Sequence, residues 1–377
     1  MRPTFYGYSF VISHILDFLT LLHLFFICFA GNHKVKGRFH IILITILFLF
    51  FLNALLTYYI NSHFYNLIFR DFFEFYRFAH IAISILFGLY LSKYVSIFIF
   101  KRILAFLLVT HSIIGVLQAC VGSDFVFLYK LFCSNNLLAQ NRSGGVCYNH
   151  IEYSLYIYII LYFLIILSKR KSLFTSILVC LFLFLSCLSF SKSTFLVMFT
   201  FLLMNFVLKL NILVIIFCIS SMLLLSCTPY FENFYKGLLD IGNLTNTTNR
   251  SFTNRLEDLN IVLDIIRSYD YRSLIGSSPL RSYDYSYIEI TFLSVFFRFG
   301  LLGILFYYSI ILFPLFKLFH LKIIDFKYIF MFIPALFIGD FTSNSSECLK
   351  LSSLYFITVS FLIHKNSFFQ KLRSSAF

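Results

Sequence analysis

Apolar residues along this chain gather in long runs rather than alternating with polar ones, and the runs recur from one end to the other. They cover Tyr8–Ala30, Phe39–Ile60, Phe72–Ser92, Ile103–Val121, Glu152–Leu167, Ser172–Phe190, Thr194–Leu208, Asn211–Cys227, Ile290–Leu315, Tyr328–Ile338 and Leu349–Ile363. A helix needs about 20 apolar residues to cross the hydrocarbon of a bilayer. Several runs are shorter and call for thinner lipid or boundaries wider by a few residues. The pattern predicts an all-α polytopic integral membrane protein, one transmembrane domain over residues 1–377 with about eleven transmembrane helices.

One long polar segment interrupts the series, Pro229 to Glu289 (residues 229–289), between the eighth and ninth predicted helices. Within it Asn254-Arg-Leu-Glu257 has the form of a helix start, with Asn as cap and Glu three positions on. Leu256, Leu259, Val262, Leu263 and Ile266 then recur at helical spacing, opposite Glu257, Asp264 and Arg267. The reading is a short amphipathic helix that lies on the membrane surface or covers a cavity between helices.

Composition agrees with the membrane class: 60% of residues are hydrophobic, 12% are charged, and mean hydropathy is +0.88. The net charge of +14 does not point to nucleic acid, because the basic residues come in small groups between apolar runs. They read as topology signals. Lys34, Lys36 and Arg38 follow the first run, Lys93, Lys101 and Arg102 the third, and Lys169, Arg170 and Lys171 the fifth. Lys209 follows the seventh, Lys317, Lys322 and Lys327 the ninth, and Lys365, Lys371 and Arg373 the last. Every second connection is therefore basic and is expected on the cytoplasmic side, with the amino terminus outside and the carboxyl terminus inside. The polar segment 229–289 falls outside, yet carries Lys236, Arg250, Arg255, Arg267, Arg272 and Arg281. Long loops cross regardless of charge, so this surplus reads either as a functional cluster or as surface solvation.

The nine cysteines show no CxxC and no Cys/His metal spacing, so no metal site is expected. Cys133 and Cys147 bracket an external loop and are either paired or free. The first apolar run is too long for the core of a cleavable signal peptide. No internal repeat with paired interrupted helices is visible, which weighs against a carrier.

Ionisable residues inside spans are costly and tend to face a partner or a cavity. The first run holds His14, Asp17 and His23, the third His80, the fourth His111 and the ninth Arg298. Glu74 with Arg77, and His14 with Asp17, are spaced to satisfy each other. Arg298 has no such neighbour and is expected to line a polar interior. Lys192 stands at the outer end of a helical hairpin; with Arg142, Arg255 and Arg272 it would supply positive charge enough for a diphosphate.

Several short motifs, taken in order, resemble the O-antigen polymerase and ligase superfamily of bacterial inner-membrane proteins. Ile114-Gly-Val-Leu-Gln118 and Gly144-Gly-Val-Cys-Tyr-Asn-His150 are similar to its Gln-containing helix end and the turn that follows. Leu188-Ser-Phe-Ser-Lys-Ser-Thr194 resembles its Ser-Arg-Gly/Ser motif, with Lys192 where Arg is usual. Arg255-Leu-Glu-Asp-Leu, then Leu274-Ile-Gly-Ser-Ser278, resembles its external-loop Arg, short helix and Leu-x-Gly turn. Tyr287-Ile-Glu-Ile-Thr-Phe-Leu, then Phe299-Gly-Leu-Leu-Gly303, resembles the start of the next helix. The resemblance covers about half the chain, Gln118 to Gly303. Glu289 stands where the ligases carry a His, which favours polymerase over ligase.

The resemblance implies a metal-independent, cofactor-free glycosyltransferase acting at the periplasmic face on undecaprenyl-diphosphate-linked oligosaccharides. A chain-length regulator and a flippase would be its partners. It implies Arg142, Lys192 and Arg255 as diphosphate ligands, Arg272 and Arg281 as weaker ones, and Glu289 as base or positioner of the acceptor hydroxyl. Glu152, His150 and Arg298 are secondary candidates. Ligation of glycan onto lipid A-core, or flipping of a saccharide lipid, are the alternatives.

Overall fold

The computed structural model describes residues 38–61, 72–121, 150–168, 250–268, 270–279, 288, 290–342 and 349–374. Among these the secondary structure is helical throughout: α1 (Arg38–Asn61), α2 (Phe72–Tyr94), α3 (Ile97–Val121), α4 (His150–Ser168), α5 (Arg250–Arg267), α6 (Arg272–Ile275), α7 (Thr291–His320), α8 (Phe326–Thr342) and α9 (Leu349–Ser374). The predicted runs Tyr8–Ala30, Ser172–Phe190, Thr194–Leu208 and Asn211–Cys227 lie outside the described residues, as do Cys133 and Cys147.

Among the described residues four helices are long and apolar enough to cross a membrane, over Phe39–Asn61, Phe75–Tyr94, Ile97–Gln118 and Thr291–His320. Glu152–Ser168, Phe326–Phe337 and Leu351–Lys365 are shorter apolar helices. Burial on α1 shows how such a helix is used. Leu43, Leu47, Phe50 and Ala54 form one buried stripe, while Ile41, Phe48, Leu52, Leu55 and Tyr59 on the other side are exposed. The same division on α3 exposes Phe98, Phe106, Val109 and Ile113. A helix that is apolar on its exposed face suits lipid and not water. The protein is a membrane-embedded helical protein.

The described helices fall into two compact units. The first contains α3, α4 and α8 as far as Gly339. In it Tyr153 of α4 reaches the His111 carbonyl of α3 and fills the space over Gly115, while Tyr156 lies on the His111 ring at 4.4 Å. Tyr158 and Tyr162 donate to the carbonyls of Met331 (2.6 Å) and Tyr328 (3.1 Å) on α8. A phenol buried among apolar side chains needs such an acceptor.

The second unit contains α1, α2, α5, α6, α7, α9 and the end of α8 from Asp340. Here α2 and α9 run parallel, as the pairs His80 with Ser353 and Ser92 with His364 require. Their close approach depends on Gly88, where a Cβ would strike the Ile357 backbone and Ser360. Helices α1 and α7 run antiparallel, with Phe39 stacked on Phe313 and Phe50 against Phe299. The alternation of basic clusters in the sequence demands these same relative directions.

Two local expectations change. The amphipathic helix starts at Arg250 rather than at an Asn254 cap, since Arg250-Ser-Phe-Thr253 contains neither Gly nor Pro to stop it. Its packed face is also rotated. Val262 and Ile265 join Ile288, Leu293, Phe296 and Phe297 in one buried cluster, whereas Leu256, Leu259 and Ile266 stay exposed. Periodicity finds apolar positions but cannot say which of two adjoining apolar arcs meets the protein.

Candidate functional site

The ninth apolar run reads as one helix, but α7 is broken at Gly300, whose φ of 67° and ψ of −165° are not helical. Gly276, just after α6, has φ 94° and ψ 168°. Both lie in a region of backbone space that is essentially closed to residues with a side chain. The two breaks face each other. A Cβ on Gly276 would strike the Arg298 carbonyl, and one on Gly300 would strike the Leu274 carbonyl. Contact this close is possible only between bare backbones.

A helix break inside a membrane domain strands carbonyls that no water can reach, so the protein must satisfy them itself. Ser277 N–H donates to the Phe297 carbonyl at 2.8 Å. Asn53 of α1 donates from Nδ2 to the Phe299 carbonyl at 3.0 Å. Thr57 donates to the Ile275 carbonyl and also lies 2.8 Å from the Asn53 carbonyl, its single hydroxyl hydrogen serving both. Asn61 spends its two amide hydrogens on the carbonyls of Thr57 (2.9 Å) and Gly276 (3.5 Å), and its Oδ1 accepts from the Tyr271 hydroxyl at 3.1 Å. Asn53, Thr57 and Asn61 are all buried. Their spacing of four puts them in one line along α1, and that line is a latch that holds the α6 turn in the break of α7.

Sequence reasoning passed over these three residues. The available signal was an i, i+4, i+8 series of amide and hydroxyl side chains in an otherwise apolar run. It also passed over Asp340, because the tenth apolar run ends at Ile338 whereas α8 continues to Thr342. Asp340 is fully buried and accepts from the Tyr308 hydroxyl at 3.1 Å.

Arg298 lies two residues before the Gly300 break and is only 6% exposed. Its Nη2 donates to the Pro279 carbonyl at 2.6 Å, and its guanidinium carbon sits 4.9 Å from the centre of the Phe299 ring. A buried guanidinium thus ties the chain leaving α6 to the first segment of α7. Arg272, at the start of α6, is exposed and pairs with Asp270 at 2.5 Å. Any anion that Arg272 held would have to share it with that carboxylate. Arg255 lies on α5; its backbone is described and its side chain is not.

These three arginines belong to one unit, on α5, α6 and α7. His150 and Glu152, at the start of α4, belong to the other, and Glu152 is half-buried. Arg142, Lys192, Arg281 and Glu289 lie outside the described residues, although Ile288 and Ile290 on either side of Glu289 are placed, the first buried. Among the described residues no cluster of His, Cys, Asp and Glu has the makings of a metal site.

The chemistry this arrangement offers is electrostatic. Arg298 is fixed against a rigid backbone interlock, Arg272 is at its exposed rim, and a helix bearing Arg255 is packed beside both. Fixed guanidinium groups suit phosphate oxygens because their forked donors match the geometry. A comparison of the chain with protein-family models, curated proteins and solved structures finds no match.

Proposed function

We propose that this protein is a membrane glycosyltransferase that polymerises undecaprenyl-diphosphate-linked oligosaccharide repeat units at the periplasmic face of a bacterial inner membrane. In this reading about eleven helices cross the bilayer and residues 229–289 form the large periplasmic loop. One observation supports it above the others. Two motifs of the family resemblance, Leu274-Ile-Gly-Ser-Ser278 and Phe299-Gly-Leu-Leu-Gly303, interlock through Gly276 and Gly300. Motifs that meet in space are more informative than motifs that merely occur in order. A second observation is the register of α5. Position 255 falls between the arc packed on α7 and the exposed apolar arc, where a lipid-linked headgroup would lie against protein.

The reaction forms a bond from an acceptor sugar hydroxyl to the anomeric carbon of the growing chain and breaks the bond from that carbon to the diphosphate. The electron pair leaves with undecaprenyl diphosphate, and the hydroxyl proton goes to a base. Arg255, Arg142 and Lys192 stabilise the departing charge in this scheme, with Arg272 and Arg281 at the edge. Glu289 takes the proton, next to the start of α7. Arg298 positions the loop by holding the Pro279 carbonyl.

Polymer length on gels tests the scheme in a host deleted for the gene and carrying Glu289→Gln, Glu289→Ala or Arg255→Ala. Removing a general base lowers the rate by roughly 10²–10⁴-fold, so surface glycan should stop at a single repeat. Wild-type polymer from both Glu289 variants would remove that residue from catalysis. Long chains that accumulate on the lipid carrier in the deletion host itself would indicate a ligase instead.

A further inference from the structure

We infer that α5 lies in the membrane interface with a dedicated lipid-facing arc, so that the bilayer itself is the partner of the helix. The argument starts from the helix wheel, at about 100° per residue. Asp258, Ile261, Val262 and Ile265 make one arc, and of these Val262 and Ile265 are buried in the cluster with Leu293, Phe296 and Phe297 of α7. Glu257, Asn260, Asp264 and Arg267 make a second arc, and the Arg267–Asp264 pair on it is largely exposed, at 74% and 76%. Leu256, Leu259, Leu263 and Ile266 make a third. On it Leu256, Leu259 and Ile266 are 43%, 39% and 44% exposed. A helix that needed only protein on one side and water on the other would have no use for this third arc.

Depth identifies what meets it. Beyond the Gly300 break, residues 301–320 of α7 make about 30 Å of helix, enough by themselves to cross about 30 Å of hydrocarbon. The segment before the break, residues 291–299, is therefore left at the end of that crossing. Leu293, Phe296 and Phe297, which receive α5, lie in its first two turns, at the headgroup end. Lys317 and His320 occupy the far end. Leu301 and Leu305, a turn or two further along α7, are 49% and 56% exposed, which suits acyl chains rather than water. The third arc of α5 therefore stands at the level where headgroups give way to acyl chains. Its charged arc prevents the helix from spanning, and its apolar arc prevents it from standing in bulk water.

The chain contains no tryptophan, which makes a direct test possible. Leu259→Trp, Ile266→Trp and Asn260→Trp each give a single reporter in the full chain, reconstituted in vesicles of phosphatidylethanolamine and phosphatidylglycerol. Excitation at the red edge avoids tyrosine. Leu259→Trp and Ile266→Trp should emit to the blue of Asn260→Trp and lose roughly half their emission when the acyl chains are brominated. Iodide should quench Asn260→Trp and leave the other two nearly untouched. Iodide quenching of Leu259→Trp and Ile266→Trp as strong as that of Asn260→Trp would overturn the inference. So would shielding of both from bromine and iodide alike, which would mean that another segment or a second copy covers the arc. Because all three positions are at the helix surface, none requires the core to rearrange; Leu256→Trp, on the same arc, repeats the measurement.

Discussion

Where α2 meets α9, two regular helices run side by side, and polar groups only pin the ends of the contact. Where α1 meets α7, one helix is broken and polar groups fill the middle. The first contact closes over Gly88 and is fastened by the His80–Ser353 bond near one end. At the other end Ser92 bonds His364 at 2.8 Å and Lys365 donates to the Ser92 carbonyl at 2.9 Å. Remove a pin, and both helices keep every backbone hydrogen bond. The second contact has no such reserve, because Asn53 and Thr57 serve carbonyls that the break at Gly300 and the α6 turn leave without helical partners. The difference shows that burial of polar groups in a membrane protein has two meanings. In one it adds a modest helix-to-helix bond; in the other it makes an irregular backbone possible at all.

The comparison is easiest to break at the glycines. Gly300→Val should have the largest effect, since it combines a forbidden backbone conformation, about 1–3 kcal/mol, with collision against the Leu274 carbonyl. The expected outcome is little or no folded protein by size exclusion in mild detergent; a variant as stable as the parent would remove the interlock from the account. Gly88→Leu comes next, forcing α2 and α9 apart at an overpacking cost of about 1–3 kcal/mol, to be read in the thermal midpoint of the purified chain. Asn53→Leu leaves the Phe299 carbonyl without its donor and should cost about 1–3 kcal/mol. Ser353→Ala removes one end pin and should cost about 0.6 kcal/mol, the average for polar contacts between membrane helices. The ratio of the last two, measured by unfolding in mixed detergents, sharpens the comparison. If Ser353→Ala destabilises as much as Asn53→Leu, the two contacts are of one kind.

Much of this architecture is legible as a line of text. The runs that became α1 to α4 and α7 to α9 are visible because a membrane-embedded helix must be apolar over most of its length, and α5 is visible because an amphipathic helix must keep a charged side. Gly276 and Gly300 stand out within short motifs, although nothing local says that each is the other's neighbour. Arg298 attracts notice because a cation in an apolar run demands an explanation. Its acceptor, the Pro279 carbonyl, is a backbone atom and leaves no mark on the sequence.

What the sequence by itself determined is the class of the protein, the position of the apolar helices among the described residues and the presence of one charged amphipathic segment. Each is a one-dimensional property, set by side-chain hydropathy and by the spacing of charge. What only the tertiary structure decided is where the helices stop being helices and who makes up the difference. Asn53 and Thr57 find their partners 246 and 218 residues away. The division of α5 into an arc packed on protein and an apolar arc left exposed was likewise fixed by the neighbour it packs on. The physical reason is the same in both cases: hydrophobicity is a property of a residue, whereas satisfaction of a hydrogen bond or an apolar face is a property of a pair.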